Sequence, residues 1–302
     1  MLPNLTAPLV QINIYRSTTS KLMVIDSHHH FWHYSQQEYG WIDDEMDVLK
    51  RNFVPADLEQ LLKASGVDGV VSVQARTNVR ENDYLLTHAK TNDFIKGVVG
   101  WVDLRQPQSV PLLEKYSYEP KMKGFRHVLQ GEEDEEYMLR ADFNEGIAKL
   151  HDFGFVYDIL IFWFHLKHCP EFVDQHVGQT FVIDHVAKPE IETDKPSAEW
   201  IEGMKETAKR SNVFCKISGM ATEVVDGVEW DAKLLKPYFE TALEAYGPDR
   251  LMFGSDWPVC LLRTEYKNWV DTVRGFISEL SADEQKAIMG ENAVTAYGLD
   301  LV

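Results

Sequence analysis

The sequence predicts a single α/β domain folded as a (β/α)8 barrel, also called a TIM barrel. Eight short segments rich in β-branched and aromatic residues alternate with helical segments from residue 23 to the end of the 302-residue chain, and this alternation is typical of a parallel barrel. A doubly wound open sheet is the competing fold, but no glycine-rich phosphate turn follows the first strand. No repeat or linker indicates a second domain. We therefore expect one barrel over residues 23–302, preceded by a flexible N-terminal extension over residues 1–22.

The first strand is centred on Val24 and Ile25 and leads into three consecutive histidines. Residues 34–50 then form a polar and aromatic loop, and long loops at one end of a scaffold often carry function. Pro55 begins a helix, because proline suits the first helical position, and leucines at helical spacing continue it until Gly66. The pattern next predicts a strand over 69–75, a helix over 82–91, and strands over 97–104 and 123–129.

The second half of the chain continues the same alternation. Helices are predicted near 143–153, 169–177, 198–211, 233–246, 266–279 and 282–297. Strands are predicted over 155–162, 181–186, 213–218 and 250–256. Because strands and helices alternate to the end, the sheet is expected to be parallel throughout.

Composition excludes several classes of partner. A formal net charge of −18 argues against nucleic acid, which needs a basic face. No apolar run is long enough to cross a membrane. Three cysteines, Cys169, Cys215 and Cys260, show no metal-type spacing and are odd in number, which suits a reducing cytoplasm. We expect a small molecule as the partner and leave assembly into a homo-oligomer open.

Polar side chains cluster where the predicted strands end. The carboxyl ends of the strands carry the active site in barrels of this kind. Buried strands do not usually end in a succession of histidines, cations and acids, so this set is the main functional signal in the sequence. Its members are His28, His30, Gln74, Arg76, Asp103, Arg126, His127, Asp184, His185, Lys216 and Asp256.

Four of these residues have the chemistry of a metal site. His28 and His30 point to the same side of the first strand, whereas His29 points to the other. With His185 and Asp256 they supply three imidazoles and one carboxylate, which can hold one divalent ion and leave a position for water. Asp256 can then accept a proton from that water and return it to a leaving oxygen or nitrogen.

Each of these residues also has a structural interpretation. The histidine run resembles a tag or a polar loop, and His185 alone suits a hydrogen-bonded core histidine. Asp256 suits the start of a turn, since Asp-Trp-Pro favours a chain reversal. Lys216 suits an ion pair. Four further histidines are assigned to structure or surface because they fall off the inward register or outside strands: His29, His33, His151 and His176.

The residues resemble the amidohydrolase superfamily, whose members carry a His-x-His pair on strand one, a histidine on strand six and an aspartate on strand eight. Five motifs are similar to the sugar-lactonase branch of that superfamily. They are IDSHHHFW at 25–32, KGFRH at 123–127, DHVAKP at 184–189, CKISGM at 215–220 and FGSDWPV at 253–259. The resemblance runs from about residue 23 to the end of the chain.

This resemblance implies a lactonase that opens a sugar-derived lactone, such as that formed in L-fucose degradation. Asp256 would be the base, and His28, His30 and His185 would hold one zinc ion or polarise the carbonyl directly. The residues expected to bind the sugar are Arg126, His127, Gln74, Trp32, Trp101 and Lys216.

Two departures from the family pattern limit the metal site. Metal-rich relatives carry a carboxylated lysine or a glutamate on strand four and a histidine on strand five, and neither is present here. We therefore expect one divalent ion at most, with zinc as the first candidate and activity without metal left open. The alternatives are a hydrolase of a pyrone dicarboxylate-type lactone, a decarboxylase of the same superfamily, and a binding protein without chemistry.

Overall fold

The computed structural model describes residues 23–301, and the predicted extension over residues 1–22 lies outside them. Eight strands form one parallel sheet in which each strand pairs with the next along the chain, as the sequence predicts. The strands are β1 (Ile25–His29), β2 (Gly69–Val73), β3 (Ile95–Gly100), β4 (Met122–His127), β5 (Val156–Ile159), β6 (Phe181–Ile183), β7 (Val213–Ile217) and β8 (Leu251–Phe253).

Helices alternate with these strands and cover the sheet. They are α1 (Pro55–Ser65), α2 (Val79–Thr91), α3 (Ser109–Ser117), α4 (Ala141–Asp152), α5 (Cys169–Asp174), α6 (Ala198–Ala208), α7 (Ala232–Tyr246), α8 (Tyr266–Phe276), α9 (Ala282–Lys286) and α10 (Asn292–Tyr297). Over residues 23–301, none of them is long and apolar enough to cross a membrane.

The predicted elements lie in the correct order, and the differences have local causes. Helix α3 is absent from the sequence predictions because Pro111 interrupts its pattern, yet proline is tolerated in a first helical turn. The last predicted helix is a run from α9 to α10 through a π-helical segment, Ala287–Glu291. Strands β6 and β8 are shorter than predicted, because the chain turns after Ile183 and Phe253.

The two ends of the sheet meet and close the barrel. The Asp256 amide donates to the His28 carbonyl oxygen at 2.8 Å, and the His30 amide donates to the Trp257 carbonyl oxygen at 2.7 Å. Residues just after β8 are therefore tied to the end of β1.

A bulge in β1 aims the first two candidate ligands. The register of β1 against β2 shifts between Asp26 and His29. The extra residue allows Ile25 and His28 both to point into the barrel, although an odd number of positions separates them. His29 points outward and contacts the Ser72 hydroxyl at 2.8 Å.

The barrel interior is layered. Inward residues near the strand starts form an apolar cluster that includes Ile25, Val71 and Val182, and Tyr297 and Leu299 from the chain end pack against it. One inward step further along, buried charged residues lie on β4, β5 and β7 and directly after β6: Arg126, Asp158, Lys216 and Asp184. The candidate site lies above this charged layer.

Candidate active site

A cavity of about 390 Å³ opens at the carboxyl ends of the strands. Its floor is polar and most of its walls are apolar. The lining residues are His30, Trp41, Met46, Ala75, Arg126, Val128, Gln130, Leu160, His185, Lys188, Thr222, Glu223, Asp256, Val259 and Leu262. Three of the four predicted ligands therefore face the cavity, and His28 lies beneath them.

Three of the four predicted ligands, His28, His30 and Asp256, bring their donor atoms together, and His185 adjoins Asp256. His28 Nε2 and His30 Nε2 are 3.3 Å apart. Asp256 Oδ1 lies 3.3 Å from His30 Nε2, 3.7 Å from His28 Nε2 and 4.0 Å from His185 Nε2. All four side chains are buried, although the residues come from three separate strand ends.

Hydrogen bonds at the opposite ring nitrogens orient the imidazoles. His30 Nδ1 donates to the Val73 carbonyl oxygen at 2.8 Å, which directs its Nε2 toward Asp256. His185 Nδ1 lies 2.9 Å from the Ser218 hydroxyl, and His28 Nδ1 lies 3.3 Å from Asp184 Oδ1. In this arrangement the three Nε2 atoms face Asp256, and His28 Nε2 also lies 3.3 Å from Arg126 Nη1.

Left-handed backbone carries two of the ligands beyond the ends of their strands. His185 has a φ of 53° and Asp256 a φ of 58°. Gly219 allows His185 to approach closely, because a Cβ at this glycine would lie 2.7 Å from His185 Nδ1. Non-glycine residues adopt left-handed backbone at a free-energy cost, so the surrounding structure must hold these two residues in place.

A charged network lies directly beneath the ligands. Lys216 Nζ contacts Asp158 Oδ2 at 2.6 Å, Asp184 Oδ1 at 2.9 Å and His28 Nδ1 at 3.1 Å. Arg126 Nη1 contacts Asp184 Oδ2 at 2.9 Å and His28 Nε2 at 3.3 Å. Together with Asp256, three carboxylates face two cations, which leaves one net negative charge when the histidines are neutral. A buried cluster with this balance suits one divalent cation.

The protonation states of His185 and Asp256 favour cation binding and proton transfer. Burial lowers the pKa of His185 to about 4, so the ring is neutral near pH 7. Burial alone would raise the pKa of Asp256, but the neighbouring His185, His30 and His28 together hold it below its usual range. An ionised carboxylate beside neutral imidazoles can coordinate a cation and accept a proton.

The residues predicted to bind the sugar separate into two groups. Arg126 lines the cavity, and Gln74 and Lys216 lie buried behind it, where Gln74 Oε1 accepts from Arg126 Nε at 3.1 Å. The other three do not line the cavity: Trp32, Trp101 and His127. Sugar binding by these three residues stays a prediction.

Strand geometry explains why His127 does not line the cavity. His127 follows Arg126 on β4, and adjacent residues on a strand point to opposite sides. Its ring accepts from Trp101 Nε1 at 3.0 Å and contacts Glu132 at 2.6 Å, away from the cavity. Trp32 is fully buried and supports Trp41, which lines the cavity in its place.

Three further residues at the site are functional candidates that the sequence did not predict. Asp158 lies on β5 as the buried partner of Lys216, and its signal is the single acid in an apolar strand. Lys188 lies three positions after His185 within a recognised motif and lines the cavity. Glu223 also lines the cavity but comes from the loop after β7, where no periodic pattern identifies it.

The amidohydrolase family model matches residues 25–299 of this chain. L-fucono-1,5-lactonase of Burkholderia multivorans is 38% identical over 288 residues, which cover 91% of this chain and 96% of that protein. A solved structure of an amidohydrolase from Burkholderia multivorans with bound zinc is 39% identical, with a TM-score of 0.87 and coverage of 92% of this chain and 100% of that one.

A more distant likeness concerns the fold alone. The solved structure of a putative 2-pyrone-4,6-dicarboxylic acid hydrolase from Pseudomonas putida has a TM-score of 0.72 at 20% identity. The match covers 94% of this chain and 100% of that one.

Proposed function

Because the chain belongs to the amidohydrolase family, we propose that it hydrolyses a sugar-derived lactone, with L-fucono-1,5-lactone as the first substrate to test. The observation that carries the proposal is the convergence of three imidazoles and Asp256 at the floor of a cavity. The 38% identity to L-fucono-1,5-lactonase supports the choice of substrate.

Asp256 is the proposed general base and general acid. Its ionised carboxylate takes a proton from water as the water oxygen attacks the lactone carbonyl. When the tetrahedral intermediate collapses, the bond between the carbonyl carbon and the ring oxygen breaks, and Asp256 returns the proton to that oxygen. Arg126, which borders the cavity with a fixed positive charge, stabilises the developing oxyanion.

The same floor fits one divalent metal ion, with zinc as the proposed ion. His28, His30, His185 and Asp256 would hold it, since each directs a donor atom at the shared space. A bound ion would supply Lewis-acid polarisation of the carbonyl and a lower pKa for water. His28, Asp184 and His185 form a second possible group of ligands, but it shares His28 with the first group and His185 with the proposed ligand set, so the two groups are alternatives for one ion.

A dicarboxylate substrate is disfavoured because the cations near the cavity are already paired. Arg126 and Lys188 line the cavity and contact Asp184 and Glu223, respectively. Lys216 is buried in its ion pairs, and Arg76 pairs with Glu38. A neutral hydroxylated lactone needs fewer positive charges and suits the largely apolar walls.

Release of acid from a lactone tests the proposal. Purified protein is expected to open L-fucono-1,5-lactone and an L-rhamnonolactone well above the uncatalysed rate, as measured by titration at constant pH. Asp256→Asn should abolish this activity, because an amide cannot take the proton. Asp103→Asn is the matched control, since Asp103 pairs with Arg105 outside the cavity. Failure of the wild-type protein to open either lactone would refute the substrate assignment.

A further inference from the structure

An ion pair lies in the wall of the cavity. Lys188 Nζ lies 3.2 Å from Glu223 Oε1, and the two side chains are 18% and 15% exposed. Both residues also line a second, outer cavity of about 540 Å³. The pair is therefore reachable from solvent and from the inner cavity.

Both partners are held in place by their backbones. Lys188 ends a run of four left-handed residues that begins at His185, and its φ is 46°. Its ammonium also lies 5.7 Å from the centre of the Phe162 ring. The Glu223 carbonyl oxygen accepts from the Ile191 amide at 3.1 Å, which ties the loop after β7 to the segment that follows Lys188.

The rest of the wall is formed largely by apolar side chains such as Trp41, Val128 and Leu262, with Gln130 and Thr222 as its neutral polar residues. Among the described lining residues, Lys188 and Glu223 are the charged groups outside the set formed by His30, Arg126, His185 and Asp256. A polyhydroxylated ring that places its carbonyl at the floor has few other strong hydrogen-bonding partners at its far side.

We propose that Lys188 and Glu223 determine specificity by binding the ring hydroxyls of the substrate. This inference rests on the proposed lactonase function. The ammonium donates to one hydroxyl oxygen, and the carboxylate accepts from a neighbouring hydroxyl. A pre-formed pair needs little ordering when a hydroxylated ligand binds.

The test compares a sugar lactone with an unsubstituted one. Steady-state kinetics are measured on L-fucono-1,5-lactone and δ-valerolactone, which share a six-membered ring but differ in hydroxyls, for the wild type, Lys188→Met and Glu223→Gln. We expect kcat/KM for the sugar lactone to fall about 10- to 100-fold, mainly through KM, because hydrogen bonds to charged groups are lost. Values for δ-valerolactone should stay within about threefold of wild type, since it has no hydroxyls to lose.

Controls separate binding from folding. Glu190→Gln removes a carboxylate that lines the outer cavity only, and it should leave both substrates unaffected. Competitive inhibition by δ-valerolactone gives the same comparison where its turnover is slow. An equal loss on both lactones, or no loss on either, would overturn the inference. A wild-type protein that opens neither lactone would refute the proposed function itself, and this inference with it.

Discussion

Lys216 is a buried cation whose removal would leave two buried carboxylates without their main partner. It is fully buried and contacts both Asp158 and Asp184. We expect Lys216→Met to lower the free energy of unfolding by about 3–5 kcal/mol, since one side of a buried ion pair remains uncompensated. Urea denaturation near pH 7 measures this loss.

A surface lysine provides the matched comparison for Lys216. Lys205 pairs with Glu244 at 2.9 Å, and the two side chains are 38% and 69% exposed. Lys205→Met should change the free energy of unfolding by less than about 1 kcal/mol, because exposed ion pairs contribute little. Equal effects of the two substitutions would contradict the role of Lys216 as a buried counter-charge.

Gly219 controls the position of His185. An alanine there would be strained at a φ of 66° and would press its Cβ against His185 Nδ1. We expect Gly219→Ala to reduce kcat/KM at least about tenfold, since small displacements of a positioned group are costly to catalysis. Gly227 has a φ of 80° with nothing within 4 Å of a Cβ, so Gly227→Ala imposes similar strain without the contact. Similar kinetic losses in both variants would argue against the positioning role.

At the residue scale, the sequence identifies the floor of the site better than its walls. The four predicted ligands lie at strand ends, where polar residues stand out against apolar runs: His28, His30, His185 and Asp256. Glu223 lies in an irregular loop, where charged residues are ordinary. His127 lies outside the cavity lining because alternation on β4 permits only one of two neighbours to face inward.

The start of α2 holds the end of β2 through a buried carboxylate. Glu81 accepts from the amides of Ala75 and Arg76 at 3.0 and 3.1 Å. Burial raises the pKa of Glu81 from 4.5 to about 7. Because the folded pKa is the higher one, this group favours the folded state below pH 4.5, and that contribution is lost as the pH rises through 7.

Replacing Glu81 should remove this pH dependence. We expect the difference in free energy of unfolding between wild type and Glu81→Gln to shift against the wild type by about 2–3 kcal/mol from pH 4.5 to pH 8. Urea denaturation of both proteins at several pH values measures the difference. A difference that stays constant over this range would show that Glu81 titrates alike in folded and unfolded chains.

At the element scale, strand centres are easier to predict than strand ends. The apolar runs at β6 and β8 are correctly placed, but each strand ends earlier than predicted. The residues that follow are polar and stay buried, namely Asp184 and His185 after β6 and Ser255 and Asp256 after β8. A buried segment beyond a strand end is difficult to distinguish from the strand itself in sequence.

A metal ion at the proposed site would join three distant parts of the molecule. The side chains that would bind it lie at the ends of β1, β6 and β8. An ion that binds only the folded state raises the free energy of unfolding by mass action. We expect the purified protein to contain one equivalent of zinc, and chelation to lower both Tm and activity, with recovery of both on adding zinc. A metal-free protein with full activity would instead leave the histidines to polarise the carbonyl themselves.

The fold of the whole molecule is the most predictable level. Alternating elements specify a parallel barrel without any knowledge of the site, and the strand order confirms it. The closure between β1 and the residues after β8 could not be predicted in atomic detail, because it depends on a bulge and a left-handed residue that leave no periodic signal.

That closure sets when a newly made chain becomes active. His28 emerges early in synthesis, whereas Asp256, which is tied to its carbonyl, is added more than two hundred residues later. At typical synthesis rates of about 5–20 residues per second, the two are separated by roughly 10–45 seconds. A ribosome-bound or prematurely terminated chain that lacks the last strand has no proposed base beside its histidines, so catalysis can begin only when the barrel is complete.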